Sequence, residues 1–179
     1  MLFRSRSFVL RNDSDKDAIK FTDVTSRHAE ALASPGMVTC AVWTDYNQDA
    51  WPDLIITGEW MPIRIFENRK GQLAEINIPS LGKSNGWWCS ILPADLDGDG
   101  DLDYLLGNAG TNMQFKASSD RPVEMYAGDF NQDGVLDPLV NYFIQGKSYP
   151  LATRDELLDQ VNSLKKKFIK YEEIGRAHV

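Results

Sequence analysis

The chain has 179 residues, of which 42% are hydrophobic and 25% charged, and this size suits one domain with its own core. The net charge of −7 is opposite in sign to what phosphate contacts need, so we expect no nucleic-acid partner. Since no run of about 18 apolar residues occurs, we expect no membrane-spanning helix. Charges interrupt the opening MLFRSRSFVL, so a signal peptide is not expected within this sequence.

The first predicted element is a β-hairpin over residues 6–25. Its turn, Asp13-Ser-Asp15-Lys-Asp17, has acidic residues at alternate positions but carries Phe21 where a closing acid would stand, so we interpret it as an ordinary turn. We assign residues 1–35 to the end of a repeat whose beginning lies before this sequence.

Short strands rich in β-branched and aromatic residues are predicted next. Residues 37–43, 53–60, 61–68 and 73–76 make four strands, with a turn at Arg69-Lys70-Gly71, which is the content of one β-propeller blade. We place this blade at 36–84, a shorter one with strands 86–92 and 103–108 at 85–120, and the start of another at 121–152.

Three acidic segments of these repeats align without gaps: TDYNQDAWPDLII at 44–56, ADLDGDGDLDYLL at 94–106 and GDFNQDGVLDPLV at 128–140. Eleven of the 26 acidic residues lie in the nine-residue loops at their centres. Three bound Ca²⁺ would bring the net charge from −7 to −1, so the acidity belongs mainly to these loops.

The spacing of oxygen-bearing side chains predicts calcium sites, because Ca²⁺ takes six to eight oxygen ligands at about 2.3–2.6 Å. In each loop, side chains at positions 1, 3, 5 and 9 and the backbone carbonyl at position 7 would surround the ion. The predicted ligands are Asp45, Asn47, Asp49, Trp51 and Asp53; Asp95, Asp97, Asp99, Asp101 and Asp103; Asp129, Asn131, Asp133, Val135 and Asp137.

An EF-hand is excluded, because position 12 is Ile56, Leu106 or Val140 where that motif needs glutamate. Acidic turns without metal are common singly, but three loops with the same closing aspartate argue against that interpretation. The chain must turn sharply after position 5. Gly100 and Gly134 suit this turn, whereas Ala50 does not, so we expect the first loop either to be strained or to bind its ion more weakly.

A helix is predicted over 153–172. Thr153 and Glu156 form a capping-box pattern, and apolar residues then recur every three or four positions at Leu157, Val161, Leu164, Phe168 and Tyr171. Residues 173–179 look like a translated sequencing adapter and are expected to be an artefact. Cys40 and Cys89 leave both a disulfide and free thiols open; we favour free, buried thiols.

The three loops resemble the FG-GAP and VCBS repeats, whose motif is D-x-[DN]-x-D-G-x-x-D before a strand, and KFTDVT at 20–25 is similar to the end of such blades. The resemblance implies an all-β fragment of a seven- or eight-bladed propeller, as in integrin α-subunits and secreted bacterial proteins. It also implies calcium binding at the matching loop residues. Some bacterial members carry an ASPIC and UnbV domain, which is not visible here.

We therefore expect a non-enzymatic, calcium-binding propeller module of a secreted or cell-surface protein, with about three Ca²⁺ ions and a protein or glycan partner. No catalytic set is found. Two alternatives stay open: part of a carbohydrate-active enzyme of the polysaccharide-lyase kind, which a cluster of Lys, His or Arg at the propeller mouth would favour, and a structural spacer.

Overall fold

The computed structural model describes residues 6–110, 113 and 115–167. Antiparallel strands dominate, in sheets of two, three and six strands, and this confirms the all-β class. The chain divides into two units, with the boundary in the sequence between Ala109 and Gly110. Among the described residues, no helix is long and apolar enough to cross a membrane.

The first unit opens with the predicted hairpin. Strand β1 (Leu10–Asn12) pairs antiparallel with β2 (Phe21–Asp23). In the connecting turn, Asp15 Oδ1 accepts the backbone N–H of Asp17 and that of Ala18, both at 2.9 Å. The acidic residues therefore shape a turn, as predicted. A short helix α1 (Thr25–His28) and a 3₁₀ turn (Glu30–Leu32) follow.

Four strands then form an antiparallel meander: β3 (Met37–Thr44), β4 (Asp53–Met61), β5 (Arg64–Arg69) and β6 (Gln72–Ile76). The turn between β5 and β6 has Lys70 at φ +54° and Gly71 at φ +94°. Two successive positive φ angles are typical of the type I′ turn, whose twist matches that of the flanking strands. The four strands therefore form one continuous antiparallel arrangement.

Both faces of strand β4 are buried. Because side chains alternate along a strand, Leu54 and Ile56 of β4 face one side and pack with Ala29 and Leu32. Ile55 faces the other side.

On that second side Ile55 packs with Ile65 and Ile91. The continuous apolar run of β4 thus follows from burial on both faces, which removes the usual polar alternation of an antiparallel strand.

The second repeat contributes β7 (Gly86–Ala94) and β8 (Asp103–Asn108), which pair with each other. Strand β7 also joins the end of β4 through Glu59↔Trp87 and Met61↔Gly86. Both cysteines of the first unit, Cys40 and Cys89, are free, as favoured, but the expected burial is wrong, because Cys40 is half-buried and Cys89 is exposed.

The second unit contains a three-stranded sheet and a helix. Strands β9 (Glu124–Gly128), β10 (Asp137–Ile144) and β11 (Lys147–Pro150) lie in the order β11-β10-β9. Helix α2 (Arg154–Gln160) begins at the predicted capping box of Thr153 and Glu156. Leu157 and Val161 of the predicted apolar stripe are buried, and so is the neighbouring Leu158.

The helix is shorter than predicted. Val161 leaves helical geometry at φ −124° and ψ 80°, and a 3₁₀ turn (Asn162–Lys166) follows. The Gln160 carbonyl accepts the side-chain amide of Asn131 at 3.0 Å, and the backbone N–H of Leu164 donates to Val161 instead. This side-chain donor ends the helix at Gln160. Phe168, Tyr171 and the 173–179 segment lie outside the described residues.

We expect Phe66 to be the most costly single core truncation. Its side chain is fully buried, at 0% exposure, so Phe66→Ala leaves a cavity and should lower the free energy of unfolding by about 3–5 kcal/mol. Phe21 is 57% exposed, and Phe21→Ala should change stability by less than about 1 kcal/mol. Urea unfolding of both variants measures this, and equal losses would contradict the burial described above.

Candidate metal sites in the three acidic loops

Each acidic loop connects the first strand of its repeat to the second. The loops join β3 to β4, β7 to β8 and β9 to β10. The position-9 residues Asp53, Asp103 and Asp137 are the first residues of the strands that follow. All three predicted loops therefore occupy equivalent places in the fold.

The aspartate at position 1 curls each loop around its own carboxylate. Asp45 accepts the backbone N–H of Asp49 at 3.0 Å through Oδ1 and that of Ala50 at 2.9 Å through Oδ2. Asp129 accepts from Asp133 and Gly134 at 3.0 and 2.9 Å.

In the second loop, Asp95 accepts from Gly98 and Gly100 at 2.7 and 3.1 Å. A similar curl thus forms from three different sequences, because the donors are backbone groups that any residue supplies.

Positions 3 and 5 continue the pattern. Asn47 Oδ1 accepts the backbone N–H of Asp49 at 3.1 Å, and Asp49 Oδ1 accepts that of Trp51 at 2.8 Å. The equivalent bonds in the other loops join Asp97 to Asp99, Asp99 to Asp101, Asn131 to Asp133 and Asp133 to Val135. The oxygens predicted as ligands therefore share one arrangement in all three loops.

The closing aspartate ties the end of each loop to its start. The Oδ2 atoms of Asp53, Asp103 and Asp137 accept the backbone N–H of the residue at position 2, at 3.1, 3.0 and 3.0 Å. Asp53 is completely buried and Asp137 is 4% exposed. A buried carboxylate is costly unless it is hydrogen-bonded or binds a cation, and these carboxylates are hydrogen-bonded within the loop.

Left-handed backbone occurs at two positions in each loop. Ala50, Gly100 and Gly134 at position 6 have φ of +68°, +96° and +87°, which confirms the predicted sharp turn and the strain at Ala50. Position 4 is also left-handed, at Gln48, Gly98 and Gln132. The left-handed backbone at position 4 was not predicted, although Gly98 in the second loop was a signal for it.

The donor set fits a hard divalent cation best in the second loop. One carboxylate oxygen from each of Asp95, Asp97 and Asp99 lies within 4.8 Å of the others. Two oxygens bound to the same Ca²⁺ at about 2.3–2.6 Å can stand no more than about 5 Å apart, so these three can share one ion. The first and third loops offer an amide oxygen, from Asn47 or Asn131, at position 3.

The charge of the second loop is concentrated enough to affect titration. The pKa of the Asp101 carboxyl is raised above its ordinary value, first by the negative charge of Asp99 and then by desolvation, with smaller contributions from Asp103 and Asp97. Trp51 and Val135, which occupy the same position 7 in the other loops, are 42% and 63% exposed. The side chains of Trp51 and Val135 thus face solvent, as expected if position 7 contributes only its backbone carbonyl to a metal site.

Strand β5 supplies neighbours that the sequence analysis did not identify for the first loop. Glu67 Oε1 lies 3.4 Å from the side-chain amide of Asn47. The backbone N–H of Asn68 donates to Asp53 Oδ1 at 2.7 Å, and its side chain donates to the Pro52 carbonyl at 2.8 Å. Only the pairing of β4 with β5 brings these residues to the loop, so no local motif indicates them.

We expect Ala50→Gly to stabilise the protein. Left-handed backbone costs a non-glycine residue about 1–2 kcal/mol, and the entropy cost of glycine offsets part of that. The net gain should be on the order of 0.5–1 kcal/mol in chemical unfolding. The matched control is Ala41→Gly in the extended strand β3, which should destabilise by a similar amount. A loss of stability in both variants would contradict strain at Ala50.

Comparison with known proteins agrees with this arrangement. Residues 45–106 match the sequence model of the FG-GAP-like repeat, a stretch that contains the first two acidic loops and strands β4 to β7. No curated protein matches the chain. Through residues 45–106, about a third of its length, the chain is therefore similar to the FG-GAP-like repeat.

Proposed function

We propose that this chain is a calcium-binding propeller module of a secreted or cell-surface protein, and that it binds a protein or glycan partner without catalysis. The observation that carries the proposal is the shared arrangement of the three loops, in which the side-chain oxygens of positions 1, 3 and 5 cap their own backbone. A bound Ca²⁺ would neutralise the carboxylates and rigidify each turn.

The residues that would hold the ions follow from the loop geometry. In the second loop, positions 1, 3 and 5 would contribute the side chains of Asp95, Asp97 and Asp99. The side chains at the same positions would do so in the first and third loops, and position 7 of each loop would contribute its backbone carbonyl. The closing aspartates contribute the fourth side chain. About three ions are proposed, one for each loop.

A binding module is favoured over an enzyme by the place of His28. Its Nδ1 lies 2.8 Å from the Gly71 carbonyl and 3.1 Å from the side-chain nitrogen of Gln72. The ring thus connects α1 to the β5–β6 turn, which is a structural contact. The alternatives of a carbohydrate-active enzyme and of a structural spacer would be favoured by turnover of a polysaccharide and by failure to bind any partner, respectively.

The extracellular location is proposed on the strength of the loops. Calcium sites of extracellular modules bind with dissociation constants of about 10⁻⁴–10⁻³ M, so they fill at the millimolar concentrations found outside cells. FG-GAP-like repeats typically occur in extracellular proteins. The narrower likeness to VCBS repeats and to the ASPIC- and UnbV-associated proteins rests on the loop motif alone.

We expect calcium to raise the melting temperature, and this experiment tests the proposed function. At a few millimolar Ca²⁺, a site with a dissociation constant of about 10⁻⁴–10⁻³ M adds roughly 1–2 kcal/mol to the free energy of unfolding by mass action. Three sites should raise Tm by on the order of 10 °C, measured by circular dichroism with added calcium and with excess chelator. A curve that chelator leaves unchanged would falsify the proposal.

Matched variants locate the effect. Asp97→Ala removes a proposed ligand and should reduce the calcium-dependent rise by about a third. Asp17→Ala removes an equally exposed aspartate from the β1–β2 turn and should leave the rise intact.

Terbium luminescence tests the register of the first loop. Terbium is a hard cation that takes the same oxygen ligands as Ca²⁺, and its emission needs an aromatic donor nearby. Trp51 stands at position 7, with its backbone N–H 2.8 Å from Asp49 Oδ1. Trp51→Phe should remove most indole-sensitised emission and leave metal affinity nearly unchanged, because the proposed ligand there is the backbone carbonyl.

Two other tryptophans serve as controls for this measurement. Trp60 lies seven residues from Asp53 along β4, roughly 23 Å away at the rise of a strand, so Trp60→Phe should leave the emission intact. Trp43 stands two residues before Asp45 and should contribute a smaller share than Trp51. Emission that survives Trp51→Phe in full would show that the register is wrong.

A further inference from the structure

A shallow cavity of about 370 Å³ lies beside the first acidic loop. Asp49 and Trp51 line it from the loop, and Asn68, Arg69 and Lys70 line it from the β5–β6 hairpin. Its volume lies within the range of about 300–1,000 Å³ that is usual for small-molecule sites. We name it the Trp51 cavity.

The two sides of the Trp51 cavity are held together by Asn68. Its backbone N–H and side-chain amide bind Asp53 and the Pro52 carbonyl, as described above, and its Oδ1 accepts the backbone N–H of Gly71 at 2.7 Å. Hairpin and loop therefore form one hydrogen-bonded piece. Such pre-organisation favours binding, since fewer groups must be ordered when a ligand arrives.

The cavity combines an exposed aromatic residue and the Asp49 carboxylate on the loop side with two cations on the hairpin side. Trp51 is 42% exposed, and the Arg69 side chain is 64% exposed and held by Glu67 at 2.6 Å. Lys70 stands at the tip of the turn. Within the part of the chain that the structure describes, the Lys70 ammonium forms no ion pair.

Metal binding does not account for the side chains of Trp51, Arg69 and Lys70. The proposed ligand at position 7 is the backbone carbonyl, and the other two loops carry Asp101 and Val135 at that position. The aromatic ring and the basic hairpin beside it are thus additions to the first loop, and their chemistry suits a ligand that is flat and apolar on one side and anionic at its edge.

We propose that the Trp51 cavity binds a hexuronate residue of an acidic polysaccharide. The C–H face of the pyranose ring lies on the indole, as aromatic residues with an apolar face and a polar edge allow. The carboxylate pairs with Arg69, whose planar guanidinium suits it, and with Lys70. This inference rests on the glycan-binding part of the proposed function and gives it a place and a ligand class.

Binding of defined oligosaccharides to the full chain tests the inference. In millimolar calcium, a linear trimer of galacturonate should bind in isothermal titration calorimetry and change the tryptophan fluorescence. The neutral galactose trimer should bind at least about tenfold more weakly, because it offers no carboxylate to the cations. Triglutamate should also bind at least about tenfold more weakly, since it has the charge but no ring.

Variants locate the binding. Trp51→Ala, and Arg69→Gln together with Lys70→Gln, should each weaken galacturonate binding about tenfold or more. The controls replace an exposed tryptophan and exposed lysines outside the cavity: Trp43→Ala, and Lys83→Gln together with Lys147→Gln. Their affinity should match that of the unaltered chain.

Absence of galacturonate binding at millimolar concentration overturns the inference, and so do equal losses in the cavity and control variants. Triglutamate binding as tight as galacturonate and unaffected by Trp51→Ala overturns it in favour of an acidic peptide. The calcium-dependent rise in Tm, measured on the same samples, separates the two proposals. If the rise persists without galacturonate binding, only this inference falls; if galacturonate binds without the rise, only the calcium-binding proposal falls.

Discussion

The first repeat depends on one buried carboxylate, that of Asp53. One of its oxygens accepts the N–H of Tyr46 at the start of the acidic loop, and the other accepts that of Asn68 at the end of β5. A fully buried carboxylate without partners would cost several kcal/mol, so the loop, β4 and β5 must take up their mutual arrangement for Asp53 to be satisfied. The same residue, Asp53, therefore fixes the packing of the first repeat and closes its candidate metal site.

Burial on both faces of strand β4 makes the first repeat depend on its neighbours along the chain. Strand β4 places Leu54 and Ile56 toward Ala29 and Leu32 and Ile55 toward Ile91 of the next repeat. The first repeat therefore needs neighbours on two sides to bury its apolar surface, which is the physical reason that such units occur in series.

Left-handed backbone in the loops is concentrated where side-chain oxygens converge. Positions 4 and 6 are left-handed in all three loops, and the first loop takes these angles with Gln48 and Ala50. Persistent strain of this kind occurs where the surroundings over-determine the backbone, and here the carboxylates of Asp45 and Asp53 do so. The same first loop carries Trp51 at its surface, which brings an aromatic face beside the β5–β6 turn.

The sequence by itself determined the strands of the first two repeats, the three loops and the oxygen-bearing positions in them, because β-branched and aromatic runs and D-x-[DN]-x-D spacing are local patterns. It also determined the start of α2, since a capping box is complete within four residues. Only the tertiary structure decided where α2 ends, through the Asn131 side chain that binds the Gln160 carbonyl. It also decided that Glu67, Asn68 and Lys70 stand beside the first loop, because strand pairing between distant residues leaves no mark in the local sequence.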